Sequence, residues 1–188
     1  NNAIQQENYE TYLEIGCDDD MLFSKVNYVK KKIGVDPVRG GNCRKTSDEF
    51  FLQNKENFDC IFIDGLHEYQ QVKKDINNSL NTLNENGTIF IHDCLPTSFF
   101  QQAVPRCRMF WTGDVWKSIV EMRTLKNLDT SVCKIDHGIA IIKKRENSNK
   151  LTIDIEKFSQ LRFKDYYNNY SKYMRLIDHK EALKFLKK

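Results

Sequence analysis

Proline and glycine are scarce in this chain, with 3 and 8 among 188 residues, which excludes collagenous, linker-like and low-complexity architectures. Paired cysteines are missing too. The six thiols (Cys17, Cys43, Cys60, Cys94, Cys107 and Cys133) are scattered without a C-x-x-C pair, so the short ligand spacings of structural zinc are absent. Cys60 and Cys133 sit in apolar runs, where cysteine behaves as a small hydrophobe. The set reads as reduced, which favours a cytoplasmic setting. No stretch approaches the roughly 20 consecutive apolar residues of a membrane span, and the polar start Asn1-Asn2-Ala3 is no signal peptide. Neither sign of charge dominates: 29 Lys and Arg against 26 Asp and Glu leave a net +3, which argues against a nucleic-acid partner. An initiator Met is also missing, as expected of a module within a longer protein.

What is present is ordinary for one compact domain: 40% hydrophobic and 12% aromatic residues are enough for a sizeable core. Tyr12 to Gly16 reads as a short strand ending in a turn, and Met21 to Lys31 carries Leu22, Val26 and Val29 at helical intervals. Lys32 to Asp36 repeats the strand signal before Pro37 and Gly40-Gly41 break the chain. Ser47 is a candidate N-cap, followed by acids that favour the positive end of a helix dipole. Phe58 to Asp64 is the strongest buried-strand signal. A helix is expected from about His67 to Leu83, then a strand over Thr88 to Ile91. Cys94 to Thr112 is irregular, and Val115 to Arg123 reads as a helix. Leu128 to Lys134 and Gly138 to Ile142 are too close for anything but an antiparallel hairpin. From Lys143 the composition turns to Lys, Asn and Tyr, so residues 1–145 are read as the core. Residues 146–188 are read as a basic extension packed on it, with one or two exposed amphipathic helices over Tyr166 to Leu186 and a solvated basic face.

Strands alternating with helices, and too apolar for a sheet wet on one face, imply a mostly parallel α/β sheet covered on both sides. Ligands then bind outside the carboxyl ends of the strands. Glu14, Gly16, Asp36, Asp64, His92 and Asp93 all fall there. Asp36 lies twenty positions after Gly16, the spacing by which a second-strand carboxylate accepts the ribose hydroxyls of an adenosine cofactor. The turn Gly16-Cys17-Asp18-Asp19-Asp20 lacks the later glycines of G-x-G-x-x-G, and its carboxylates would repel a pyrophosphate. A cationic sulfonium suits it better, so S-adenosylmethionine is favoured over NAD. An NAD-dependent oxidoreductase and a non-catalytic cofactor-binding module remain as alternatives.

Six segments together resemble a class I S-adenosylmethionine-dependent methyltransferase. They are Tyr12-Leu13-Glu14-Ile15-Gly16, Gly34-Val35-Asp36-Pro37, Thr46-Ser47-Asp48, Ile63-Asp64-Gly65-Leu66-His67-Glu68-Tyr69, Asn86-Gly87-Thr88-Ile89-Phe90-Ile91-His92-Asp93 and Thr112-Gly113-Asp114-Val115-Trp116-Lys117. More narrowly, they look like the small-domain group associated with sugar and polysaccharide O-methylation. Asp18 and Asp20 depart from the family's small residues in the first turn. The resemblance implies a Rossmann-like doubly wound sheet with helices on both faces and a C-terminal antiparallel hairpin strand. It also implies that Glu14 and Gly16, with Cys17 beside them, flank the methionine half of the cofactor. Asp36 would bind the ribose, Pro37 would border the adenine, and Ser47 and Asp48 would reach the adenine edge. The implied acceptor is a hydroxyl of a glycan or glycoconjugate, a deoxyhexose such as rhamnose among them, with glycosyltransferase domains as partners or fusions.

Methyl transfer to oxygen needs collinear acceptor, methyl and sulfur, and a group to take the acceptor's proton. His67 is the preferred base because imidazole titrates near neutrality, with Asp64 or Asp93 to orient it. Alternatively, Asp64 and Asp93, with His92, can hold Mg²⁺ or Mn²⁺ to acidify the hydroxyl. His92 is less suited to Mg²⁺ and, by strand alternation, points away if Asp93 points in. The Trp111 to Lys117 segment is expected to cap the cleft, with aromatic faces for a sugar and Asp114 and Lys117 for its hydroxyls. Asp114 as a helix cap and Trp116 as core are the bland alternatives. His137 is expected to be structural or exposed.

Overall fold

Three strands of the sheet are built on short apolar runs. Phe58–Ile63 (β3) lies between Thr11–Ile15 (β1) and Leu83–Ile91 (β4), and Lys31–Val35 (β2) flanks β1. All four run parallel, with Leu13 opposite Ile61 and Ile61 opposite Ile89, each fully buried. The computed structural model describes residues 1–187. Leu128–Cys133 (β5) and Ile139–Lys144 (β6) form the expected hairpin, and β6 inserts antiparallel beside β4. Leu176–Ile177 (β7) adds a parallel edge strand next to β5, giving the order β2-β1-β3-β4-β6-β5-β7.

The expected helix over Met21 to Lys31 is not formed. One 3-10 turn, Phe23–Lys25, stands there, because Val26 is extended and Tyr28 adopts left-handed backbone (φ 59°), which interrupt any longer helix. Lys32 Nζ instead donates to the carbonyls of Phe23 and Val26, at 2.8 and 3.0 Å. The helix Ser47–Gln53 (α2) is capped by Thr46 rather than Ser47. Thr46 Oγ1 accepts the Glu49 N–H while Glu49 returns to the Thr46 N–H, a reciprocal capping box. Ser47 is thereby released from capping.

Tyr69–Thr82 (α3) and Trp116–Arg123 (α5) pack against each other and against the sheet through Val72, Ile76, Ile119 and Val120. The segment read as irregular contains one short helix, Phe99–Gln102 (α4). At the start of the chain, Asn2–Glu7 (α1), unforeseen in the polar sequence, buries Ile4.

The C-terminal helices Phe163–Met174 (α6) and His179–Lys187 (α7) have wet basic faces, but they are less exposed than expected. Tyr166, Tyr173, Met174, Ala182, Phe185 and Leu186 are buried against the rest of the chain. Gln6 Nε2 also donates to the Leu183 carbonyl at 2.8 Å, tying α1 to α7. No helix among the described residues is long and apolar enough to cross a membrane.

Trp116 knots these layers together. Its indole is fully buried, packs at 4.9 Å against the tilted Tyr166 ring of α6, and donates to Gln102 Oε1 of α4 at 3.2 Å. Trp116→Ala is expected to cost about 3–5 kcal/mol of stability, read by chemical denaturation. Retained stability would show that the indole is no core element.

Candidate active site

Backbone hydrogen bonds continue past the strand ends and hold them level. Gly16 N–H donates to Val35 O (2.8 Å), Asp64 N–H to Ile15 O (2.7 Å) and His92 N–H to Ile63 O (3.1 Å). Gly16 is required here: its φ is +86°, and a Cβ would stand 2.2 Å from the Asp64 carbonyl oxygen. The rim opens into a cleft of about 1370 Å³. Glu14, Gly16, Cys17, Asp36, Pro37, Ser47, Asp48 and Asp64, the positions expected to hold the cofactor, all line it, as do His67 and His92.

Asp36 is pre-set by its own loop. Oδ1 accepts the N–H groups of Val38 and Arg39 at 2.8 and 2.9 Å, and Oδ2 accepts that of Asp18 at 3.0 Å. Burial opposes its charge, yet these donors and Arg44 at 3.8 Å hold its carboxyl below the usual range. The acidic turn is more neutral than its sequence. Asp18 pairs with Arg39 at 2.5 Å, Asp20 accepts the Gly41 N–H at 2.6 Å and Asp19 accepts the Met21 N–H at 3.1 Å, so the charge of Asp18 alone is met by a side-chain cation.

Glu14 contributes differently. Burial pushes its carboxyl up to about 7, against the hydrogen bond donated by the Tyr12 hydroxyl. Burial likewise raises the Cys17 thiol, so no thiolate nucleophile stands there. Ser47 Oγ and Asp48 Oδ1 both accept from Gln71 Nε2, at 3.1 and 3.2 Å.

The other half of the rim is a cluster of alternating imidazoles and carboxylates. His67 Nε2 lies 3.1 Å from Asp64 Oδ1, and His67 Nδ1 lies 3.1 Å from Asp93 Oδ2. His92 Nδ1 lies 3.0 Å from the same Asp64 oxygen. Contrary to the alternation argument, His92 and Asp93 both reach the cluster. Strand β4 ends at Ile91, and Asp93 turns the chain with a left-handed φ of 60°, so the period-two rule no longer applies.

Burial opposes charge on both rings, yet the carboxylates raise His67 above its ordinary value and His92 to about 9. Burial would raise Asp64, but the two imidazoles bring it below the carboxylate range, while burial keeps Asp93 above it. Both nitrogens of His67 face acceptors, which suits the doubly protonated ring. Asp64, His67 and Asp93 also present ligand atoms all within 4.8 Å of one another.

The expected substrate residues lie elsewhere. Asp114 Oδ1 accepts the Tyr69 N–H at 2.7 Å, so it caps α3 from a distance, and its Oδ2 pairs with Lys117 at 2.9 Å. Trp116 is core. None of the three lines the cleft. Their segment instead braces His67: the Asp114 N–H donates to His67 O at 3.1 Å, and a Cβ on Gly113 would stand 1.7 Å from that oxygen.

Trp111 does line the cleft, stacked on His67 at 5.6 Å with Arg106 5.8 Å from its ring. Asp136, Arg106 and Gln71 were not foreseen. Asp136 lies on the β5–β6 turn, where three successive residues have positive φ, and its Oδ2 is 3.2 Å from His92 Nε2. That contact lacks hydrogen-bond alignment and is coulombic. A turn closing over the carboxyl end of a neighbouring strand was the available signal. His137 is exposed.

Residues 24–94 match the family model described as a methyltransferase domain. Over that segment the chain is similar to that family. No curated protein matches it in sequence. Among solved structures, the methyltransferase PaMTH1 from Podospora anserina, bound to S-adenosylhomocysteine, is similar at 14% identity. The likeness covers 76% of this chain and 75% of that one, with a TM-score of 0.56. The O-methyltransferase from Bacillus cereus, also with S-adenosylhomocysteine, is similar at 11% identity over 75% and 77% of the two chains, with a TM-score of 0.53. At such identities the likeness establishes a methyltransferase fold, and the cleft lies where that fold binds ligands.

Glu14 makes the cleft pH-sensitive. Its carboxyl titrates higher in the folded chain, up to about 7, than in the unfolded one. It therefore contributes stability below the unfolded value, and this contribution is lost as pH rises through the folded value. Glu14→Gln should flatten the stability profile between these limits, measured by thermal melts across pH. An unchanged slope would locate the titration in another group.

Proposed function

We infer that this methyltransferase domain transfers a methyl group from S-adenosylmethionine to a hydroxyl of a sugar, on a glycan or glycoconjugate. The observation that carries the reading is the union of two sites in one cleft. Asp36, charged and fixed by three N–H groups, stands at the β2 end, and His67, clasped by Asp64 and Asp93, stands at the β3 and β4 ends. Two fold neighbours hold S-adenosylhomocysteine in their structures, which supports the same donor here. Asp36 accepts the ribose hydroxyls with its remaining lone pairs, Pro37 borders the adenine, and Ser47 and Asp48 face its edge. Gly16 and Cys17 pass along the methionine half. Asp19 and Glu14 supply the negative field for a sulfonium and its ammonium group.

His67 takes the acceptor's proton as the methyl moves, while Asp64 and Asp93 stabilise the imidazolium that results. Its pKa lies above the ordinary imidazole value, so the neutral ring that can accept a proton gains population as pH rises, and catalysis by this route strengthens with alkalinity. Trp111 offers its face to the apolar side of a pyranose. This replaces Trp116, Asp114 and Lys117 as the acceptor-facing group. Sugar acceptors, including deoxyhexoses such as rhamnose, and an association with glycosyltransferase domains rest on the resemblance of the sequence segments. Free thiols at Cys17, Cys60, Cys94 and Cys133 in the buried interior suit a reducing, cytoplasmic compartment.

Asp64, His67 and Asp93 also fit a divalent cation, and their mixed nitrogen and oxygen set suits Mn²⁺ better than Mg²⁺. Such an ion supplies Lewis acidity that lowers the pKa of a nearby hydroxyl.

S-adenosylhomocysteine should bind the wild type in calorimetry and bind Asp36→Ala at least about tenfold more weakly, the loss of about 1.4 kcal/mol. Binding of NAD instead would replace the donor assignment with the oxidoreductase reading. In glycan mass spectrometry the active protein should add one methyl to a sugar residue. His67→Ala should then lower kcat by about 10²–10⁴, and the wild-type rate should climb with pH through the raised His67 pKa. A full rate well below neutrality would remove His67 as base. A rate lost to EDTA and restored by Mn²⁺ would put the cation in the reaction, whereas a rate surviving complete metal removal excludes that role.

A further inference from the structure

The stretch between β4 and α5 is unusual in both sequence and exposure. From Cys94 to Gly113 it contains no Asp or Glu. Its tip carries Met109 and Phe110, 84% and 77% exposed, and its base carries Phe99, Phe100 and Val104, also exposed. Isolated apolar side chains on a surface are ordinary, but five on one segment beside a cleft are not. Arg106 and Arg108 stand among them, and neither pairs with a carboxylate among the described residues. Arg106 donates to the carbonyls of Arg108 and Met109, and the Arg108 guanidinium lies 4.4 Å from the Phe100 ring. The apolar surface continues onto α6. Phe99 meets Phe163 at 6.5 Å and Phe163 meets Tyr167 at 6.0 Å, while Tyr167, Tyr170, Lys164 and Lys172 are exposed.

We propose that this surface docks the protein onto an anionic lipid bilayer, with Met109 and Phe110 entering the interface and Arg106 and Arg108 meeting the headgroups. The chemistry is that of a peripheral membrane contact: protruding apolar tips, a cationic loop free of acids, an α6 face whose Asp165 is paired with Arg162, and tyrosines whose amphipathic rings suit the headgroup level. A cytosolic acidic protein would also answer the charge. It would not need unsupported apolar side chains at the loop tip, whereas a bilayer takes them without a shaped pocket. Arg106 and Trp111 belong to the same segment and line the cleft, so docking by this loop turns the cleft mouth toward the membrane surface. The proposal stands apart from the methyl-transfer reading, since it concerns binding alone.

Vesicle flotation of the intact chain tests it, with phosphatidylcholine vesicles against vesicles that also contain phosphatidylglycerol. The wild type should float with the anionic vesicles and not with the neutral ones. Raising ionic strength from about 0.01 M to about 1 M, which shortens the screening length from about 30 Å to about 3 Å, should release it. Met109→Asp with Phe110→Asp should weaken partitioning by at least about tenfold while leaving the thermal melt in place, because both side chains are exposed. Arg106→Gln with Arg108→Gln should lower binding and flatten its salt dependence. No flotation of the wild type, or flotation unchanged in both variants, overturns the proposal. So does a concentration-dependent dimer in light scattering that the Asp variant abolishes without any vesicle binding, which would assign the surface to a second copy of this chain. Saturable binding of a polyacidic peptide at low salt, with no vesicle binding, would overturn it in favour of a protein partner.

Discussion

The level alignment of four parallel strand ends is the constraint on which the rest depends. Side chains from β1 to β4 share one rim because the sheet ladder persists one residue beyond each strand, from Val35 to Gly16, from Ile15 to Asp64 and from Ile63 to His92. The approach is so close that only glycine fits at position 16. A sheet slipped by one residue would turn these polar groups into the core. Burial of Ile61, Ile63, Ile89 and Ile91 on the same strands opposes such a slip. Register and site are therefore held by one set of contacts.

Electrostatics at that rim divides into two regimes. At the β1 and β2 ends, backbone N–H groups and arginines consume much of the acidic charge, so Asp36 is fixed by donors and Asp18 by Arg39. At the β3 and β4 ends, carboxylates and imidazoles satisfy one another, and protons rather than arginines balance the charge. The second arrangement responds to pH and to cations, whereas in the first only Glu14 titrates near neutrality. That contrast suits a donor that must be held and an acceptor whose proton must leave.

The Thr112 to Lys117 segment illustrates how a residue can matter to a site without touching a ligand. Its glycine permits close contact with the His67 carbonyl, its aspartate caps α3 at Tyr69, and its tryptophan anchors α5 to α6. The same residues read in one dimension resemble a sugar-binding motif, because aromatic, acidic and basic groups in a row carry no statement of direction. Trp111, one residue before the segment, faces the cleft instead.

Much of the fold was legible because long apolar runs allow few alternatives: β3, the parallel strands around it, the hairpin of β5 and β6 and the long helix α3 follow from periodicity and connection length. The convergence of Asp36, Asp64 and Asp93 also follows, since parallel strands place their carboxyl ends together. Local signals failed where backbone handedness intervened. Extended Val26 and left-handed Tyr28 broke the helix expected after Met21, and a left-handed Asp93 brought His92 inward. Tertiary structure alone decided that Asp136 reaches His92, that Trp116 is buried, and that both nitrogens of His67 face carboxylates. Periodicity reports which face of an element is apolar, but the partner of an ionised side chain depends on how separate elements meet, and that is set by packing across the whole chain.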